Sequence, residues 1–394
     1  MHLVFATSIV PCGTPETGYE IANAAILDAL ARLGIRVTVL GFAWPDKIPS
    51  DPDSSVVLGH IDVTTADATP SQKLRWLADA LRWKLTFSSA KLRVIGPGEL
   101  RDVLATLGPI DGVILNSVQL AGAFLDVFAG YPFIYIAHNV EHRSAEENAV
   151  AAGLPARLLY RRESRLLKAL EEELCRKARF VFTLAEEDRE LLGLDDAARS
   201  AALPLVTRAQ PPQVAAREPT FDAVLVGTWT WAPNRIGLDW FLEAVVPLLP
   251  SGFRIAVAGR TPAGLEKMHP RVRFVGRVAD ASEFMRKGKV VPLVSKAGTG
   301  VQLKTIETFE LGLPCVATTS SLRGIAHIPE NCIHADEPRD FAAALQDLSS
   351  GVGHDVDGRD FHHAQRKALD EALRRGTHIF ASSDKRQTAE GNAA

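Results

Sequence analysis

Short apolar runs bounded by turn residues alternate with stretches of helical period along this chain, and the alternation occurs twice. A parallel strand can be rejoined only through a crossover. A parallel sheet also needs both faces covered, so this pattern constrains the fold to sheets wrapped in helices. In the first half the predicted strands are 3–6, 36–40, 55–62, 112–115, 133–137 and 180–184. Between the first two, Ile21, Ala25, Leu27, Leu30 and Leu33 recur at helical spacing, and Gly34 stands where a C-cap glycine belongs. The second set of predicted strands is 223–226, 254–258, 272–275, 290–294 and 315–318, separated by helices near 236–249, 280–286 and 303–311. Between the two sets lies TRAQPPQVAAREP, residues 207–219, rich in proline and without apolar period. The expectation is two doubly wound α/β domains, 1–206 and 220–350, joined by a 207–219 linker. A helical segment in 351–380 crosses back toward the first domain, and the polar residues 381–394 read as a disordered tail. A length of 394 residues suits two such domains, and no internal sequence repeat is visible.

Composition narrows the function. A net charge of −3 supplies no basic field for nucleic acid. No apolar run approaches the roughly 20 residues that cross a bilayer. The N-terminal residues MHLVFA read as a first strand rather than a signal peptide. Cys12, Cys175, Cys315 and Cys332 form no C-x-x-C pair, which fits a reducing cytoplasm and argues against a structural zinc.

In open α/β sheets ligands bind beyond the carboxyl ends of the strands, so the loops there are the place to look for chemistry. After strand 290–294 the chain reads SKAGTGVQLKTIETFELGLP. The turn Gly298-Thr299-Gly300-Val301 enters a helix, and backbone N–H groups at a helix start suit a phosphate. Lys304 adds a charge one turn in. Glu307, three residues on, could accept the hydroxyls of a ribose. On spacing alone Lys304 and Glu307 read equally as a surface ion pair. His138 follows the buried strand 133–137 in the run IAHNVEH, where a lone histidine is by default a satisfied structural residue. The loop after strand 223–226 reads GTWTWAPNR. Its Trp229 and Trp231 serve equally as core plugs or as walls for a ligand.

The 298–314 segment resembles the donor-site signature G-x-G-x-x-x-K-x-x-E-x-x-x-x-G-x-P of the retaining glycosyltransferase family 4. The similarity extends over most of the chain. It implies the GT-B fold, two Rossmann-like domains facing each other across a cleft, and transfer of a hexose-type sugar from a nucleotide diphosphate sugar to an acceptor hydroxyl. The donor is then a substrate, and neither cofactor nor metal is implied. The resemblance gives Glu307 to the nucleotide ribose, and the backbone of Gly298, Gly300 and Val301, with Thr299 and Lys304, to the donor phosphates. Gly13, in the loop PCGTPETG after the first strand, also falls near the phosphate, and His138 falls beside the transferred sugar as the catalytic residue. Thr228, Trp229, Asn234, Arg235, Arg260 and Val278 fall at donor-lining positions. The chain departs from the pattern at Thr299, where the family carries a first glutamate, and at Thr228 and Asn234, where it carries an arginine and a lysine. Those departures keep an inactive sugar-nucleotide-binding subunit in view, and the same fold allows a second alternative, a sugar-nucleotide epimerase.

Two further segments stand apart from the resemblance. His354-Asp355-Val356-Asp357 contains a D-x-D of the kind that can hold a metal, but in a glycine-flanked loop aspartates more often cap turns. Over 72–87, helical period puts Leu74, Leu77, Ala78, Leu81 and Leu85 on one face, expected to pack on the domain. Trp76, Trp83 and Phe87 fall opposite, flanked by Arg75, Arg82, Lys73 and Lys84. That aromatic stripe suits either a covering partner or an anionic membrane surface. The second would place a peripheral enzyme with a lipid-linked acceptor at the inner face of the cytoplasmic membrane, in glycolipid or polysaccharide assembly. The charged stretch 144–177 reads as one helix with a solvated face.

Overall fold

The computed structural model describes residues 1–391 apart from 16, 66–67, 152, 214–215 and 352–354. The chain divides into two compact units, Met1–Leu203 with Ala368–Ala394, and Pro204–Lys367. The first holds a seven-stranded sheet: β1 His2–Ile9, β2 Arg36–Ala43, β3 Ser55–His60, β4 Gly112–Asn116, β5 Phe133–Ala137, β6 Phe180–Thr183 and β7 Ser200–Ala202. Its order is β3-β2-β1-β4-β5-β6-β7, with every pair parallel. The second holds six strands: β8 Phe221–Val226, β9 Ile255–Ala258, β10 Val272–Gly276, β11 Gly288–Leu293, β12 Cys315–Ala317 and β13 Cys332–His334. Their order is β10-β9-β8-β11-β12-β13, again all parallel. In both, the order reverses beside the first strand, which opens a crevice at the carboxyl ends of β1 and β4 and of β8 and β11.

All predicted strands form, because a central parallel strand is apolar on both faces and stands out in sequence; β4 and β5 are buried at every position. The two strands that escaped notice, β7 and β13, have three residues each and lie at sheet edges, where half the burial and half the signal are missing.

Several expectations are corrected by packing. The 207–219 stretch is built into the second unit: the Thr207 N–H donates to Glu310 at 3.0 Å, and Arg217 donates to the Lys289 carbonyl at 3.2 Å and to Asp355. The last helix, Gly358–Gly391, includes residues of both units. His362 Nδ1 lies 3.0 Å from Glu310, whereas Phe380 packs so closely on β4 that a Cβ at Gly112 would fall 2.4 Å from its ring. That helix continues through 381–391, the stretch read as a tail; 392–394 lie outside the described residues.

The 144–177 stretch is two helices, Glu141–Ala151 and Leu154–Lys177, the second entered through Gly153 and Pro155. Its charges are not all solvated. Glu171 is fully buried and accepts the N–H groups of Glu141 (2.7 Å) and His142 (3.2 Å) and the Nδ1 of His142 (2.6 Å). A carboxylate at a helix start is favoured by both its orphan donors and its dipole, which offsets the cost of burying the charge.

The amphipathic segment is also turned round. The helix is Pro70–Arg82, and Phe87 begins a second one, Phe87–Leu92. Trp76 is only 5% exposed and meets Phe87 edge-on at 6.1 Å, while Leu74 and Leu81 are 68% and 52% exposed. Period identifies two faces but not which one packs; an indole buries more area than a leucine, and here Trp76 goes inward while Trp83 stays exposed. Among the described residues no helix is long and apolar enough to cross a membrane.

Candidate active site

Two clusters form at carboxyl ends of strands, one in each unit. In the second unit, the loops leaving β8 and β11 flank the point where the strand order reverses. The β11 loop turns through Gly298 (φ +97°) and Gly300 (φ +76°), left-handed conformations that glycine reaches without strain. It is anchored from behind: Thr318 and Arg323 donate to the carbonyls of Ser295 and Gly298, and Ser321 accepts the Ser295 N–H at 2.9 Å. The helix Leu303–Glu310 starts immediately afterwards, and the side chain of its N-cap residue, Gln302, makes no capping hydrogen bond. Thr299 is buried in this turn and Val301 half-buried.

Lys304 Nζ lies 5.0 Å from the centre of the Trp229 indole and 3.5 Å from Asn234 Oδ1. Burial pulls its pKa down to about 8. It is a cation at neutral pH, resting on a π face and held in a poorly solvated position. The departure at Asn234 thus acquires a geometry, a neutral amide beside the lysine. Glu307 accepts from the Ser282 hydroxyl and lies 3.5 Å from the Arg208 guanidinium. Its pKa is raised, chiefly by desolvation, against the opposing pull of Ser282 and Arg208. Lys304 and Glu307 are therefore not paired with each other; each has its own partners.

Other predicted lining residues divide. Trp229 is 1% exposed and donates Nε1–H to the Ala258 carbonyl at 2.8 Å, so it supports Lys304 from the core rather than walling a ligand. Arg235 pairs with Asp239 at 2.5 Å one turn along its helix, which removes it as the obvious replacement cation. Thr228 and Arg260 are exposed on neighbouring loops, the Trp229 N–H bonding the Arg260 carbonyl at 2.9 Å, and Val278 is half-buried. Of the D-x-D residues, Asp355 is paired with Arg217 and Asp357 with Arg359; His354 lies outside the described residues. Among the described residues no group of His, Cys, Asp or Glu is arranged to hold a metal.

In the first unit, His138 follows β5 and is 6% exposed. Its Nε2 is 2.7 Å from Asn116 Oδ1, and its ring centre is 4.9 Å from that of Tyr19. The Asn116 amide nitrogen donates to Asn23 Oδ1 (2.8 Å) and to the Tyr19 hydroxyl (3.1 Å), and Tyr19 in turn meets Thr7 Oγ1 at 2.7 Å. With the amide nitrogen so engaged, Asn116 offers its oxygen, so His138 carries its proton on Nε2. Burial lowers its pKa to about 4, and the ring is neutral at physiological pH. It can orient a hydroxyl but has no proton to give as an imidazolium. Gly13 sits in a left-handed turn (φ +72°), its N–H donating to Ser50 at 2.9 Å. The following helix is closed by a capping box between Thr17 and Glu20.

Arg208 and Ser282, which hold Glu307, and the Thr7, Tyr19, Asn23 and Asn116 network, which holds His138, escaped sequence reasoning. Their partners lie up to 109 residues away, and no local spacing marks them.

The chain is similar in structure to WaaG, a glycosyltransferase involved in lipopolysaccharide biosynthesis: 16% identity, 93% of this chain and 95% of that one covered, TM-score 0.55. It is likewise similar to TarM (11%, 96% and 98%, TM-score 0.61) and to Anabaena HepE in complex with UDP and glucose (15%, 97% and 99%, TM-score 0.56). No curated protein matches. Two Rossmann-type sheets in one chain, with this likeness, define the GT-B fold. Residues 220–350, the span that carries the Lys304 and Glu307 cluster, match the family model described as glycosyl transferases group 1.

Proposed function

We propose that the second unit binds the nucleoside diphosphate of a hexose-type donor, and that His138 of the first unit acts at the sugar, which passes to an acceptor hydroxyl with retention and without a metal. The observation that carries this is the arrangement around the helix Leu303–Glu310: a fixed glycine turn at its start, a half-buried cation on its first turn and a partnered carboxylate one turn further. In transfer the anomeric carbon's bond to the diphosphate breaks, a bond to the acceptor oxygen forms, and the hydroxyl proton is released. Helix N–H groups and Lys304 stabilise the charge that grows on the leaving group. Retention rests on the family 4 resemblance. The ion pairing of Asp355 and Asp357 supports a metal-free reaction.

Glu307→Ala should weaken nucleotide binding by about 1–3 kcal/mol, the worth of hydrogen bonds from two ribose hydroxyls to a carboxylate. Calorimetric titration with a panel of nucleotide sugars, beginning with UDP-glucose, checks this; undiminished affinity would place the ribose elsewhere. The same panel without acceptor separates the alternatives: an epimerase converts the free donor, and an inactive subunit binds it but transfers to nothing.

Contact with an anionic membrane is proposed in altered form, through exposed Leu74, Leu81 and Trp83 with Arg75, Arg82 and Lys84 rather than through Trp76. Wild type should float with liposomes containing anionic lipid, and Leu81→Ser/Trp83→Ser should stay behind. Equal recovery in the unbound fraction would end the idea.

A further inference from the structure

The first unit contains a cavity of about 480 Å³ that the site described above does not use. It lies among the helices Pro70–Arg82, Phe87–Leu92, Glu141–Ala151 and Leu154–Lys177, all within this unit. Apolar side chains, Leu77, Phe87, Leu159 and Leu167 among them, share its walls with the polar Thr65, Lys73, Ser88, Ser144 and Asn148. Two lining charges are spent on building the wall. Arg162 donates to the carbonyls of Ala80 (2.8 Å) and Leu85 (3.2 Å), and the Glu163 carboxylate accepts the Phe87 N–H at 2.7 Å.

Of its polar lining residues, Gln119 and Glu141 stand nearest along the chain to His138 and its partner Asn116. Gln119 lies three residues beyond Asn116, the partner of His138, and its side chain accepts from Ser8 at the end of β1. Glu141 lies three residues beyond His138 itself and starts the helix that Glu171 caps. The cavity therefore brings apolar walls together with two polar side chains that neighbour His138 and Asn116 along the chain. Desolvation, with the Glu171 carboxylate as the second cause, lifts Glu141 to about 7, so its carboxyl group can donate or accept a hydrogen bond near neutral pH.

We infer that this cavity seats the acceptor, and that the acceptor carries an apolar aglycone, an alkyl or aryl group, in the chamber with its hydroxyls turned to Gln119 and Glu141. This rests on the transferase reading of the protein. A volume of this size accommodates a small organic group, and Gln119 and Glu141 offer it hydrogen bonds beside the residues that neighbour His138. A free sugar would leave the Leu77 and Leu159 walls wet and gain nothing from them.

The test is calorimetric titration of the full chain with octyl glucoside below its micelle concentration, with p-nitrophenyl glucoside and with glucose. Both glycosides should bind at least tenfold more tightly than glucose. Leu77→Gln and Leu159→Gln, at partly exposed lining positions, should each weaken octyl glucoside about fivefold or more. Leu158→Gln, exposed on the same helix outside the cavity, should leave it unchanged. Equal affinity for glucose and its glycosides, or equal loss in the Leu158 variant, would overturn the inference. Nucleotide-sugar binding, measured in parallel, reports on the transferase reading separately. If it persists in all variants while the glycosides fail to bind, the acceptor class is wrong and the donor site stands.

Discussion

Replacing His138 by alanine is expected to lower kcat about 100-fold, some 2.7 kcal/mol of transition-state stabilisation, while nucleotide affinity stays within about twofold of wild type. The ring belongs to the first unit, and Lys304 and Glu307, the groups proposed to bind the nucleotide, belong to the second. Loss of an interaction made to the sugar in the transition state should therefore leave the nucleotide's own contacts alone. The shape of the pH profile gives an independent check. Burial holds His138 near 4, so it is neutral across the physiological range, and its protonation should depress turnover only as pH falls through about 4. A rate limb near pH 6.5 that disappears in the variant would show an ordinary, solvated imidazole and contradict the buried network through Asn116 and Tyr19. Unfolding should be followed alongside. His138→Ala that loses its fold rather than its turnover would restore the structural reading of this residue.

Lys304→Met should weaken nucleoside diphosphates by roughly 10- to 100-fold and leave the free nucleoside nearly unaffected, since a charge-assisted hydrogen bond to phosphate is worth about 1.5–3 kcal/mol. In wild type, diphosphate affinity should fall as pH rises through about 8, where the lysine of the free protein loses its proton, and nucleoside affinity should stay flat. Stability should move the other way. The folded-state pKa lies below the unfolded value, so the unfolded chain binds more protons between pH 8 and about 10.4, and stability contributed by this group rises with pH across that window. Lys304→Met should therefore cost binding without lowering the unfolding temperature. A variant with lowered stability and intact diphosphate binding would mean that Lys304 serves the Trp229 packing and not the ligand.

The parts of this site legible in sequence are those whose residues sit close together along the chain. Gly298, Gly300, Lys304 and Glu307 fall within one turn and one short helix, so backbone geometry alone brings them together. His138 was visible because a polar residue follows a five-residue strand buried throughout. The residues that set the properties of these groups were not legible. Asn116 fixes the tautomer of His138 from 22 residues away, and Arg208 reaches Glu307 from 99 residues away, out of a proline-rich stretch that resembles a linker.

The sequence by itself determined the class of fold, because each central parallel strand must be apolar on both faces and each crossover must carry a helical stripe, both of which are written locally. It also determined the left-handed turn before the helix Leu303–Glu310, through Gly298 and Gly300 at the positive-φ positions. The tertiary structure alone decided which way the amphipathic faces turn. Trp76 goes inward and Leu74 outward, although the period of the helix allows either. It decided too which charges are buried with partners, as Glu171 is with the helix start at Glu141 and Glu310 with Thr207 and His362. The physical reason is common to these cases. Period and propensity act over a few residues, whereas desolvation and hydrogen bonding depend on whatever the fold brings within about 3 Å, from any distance along the chain.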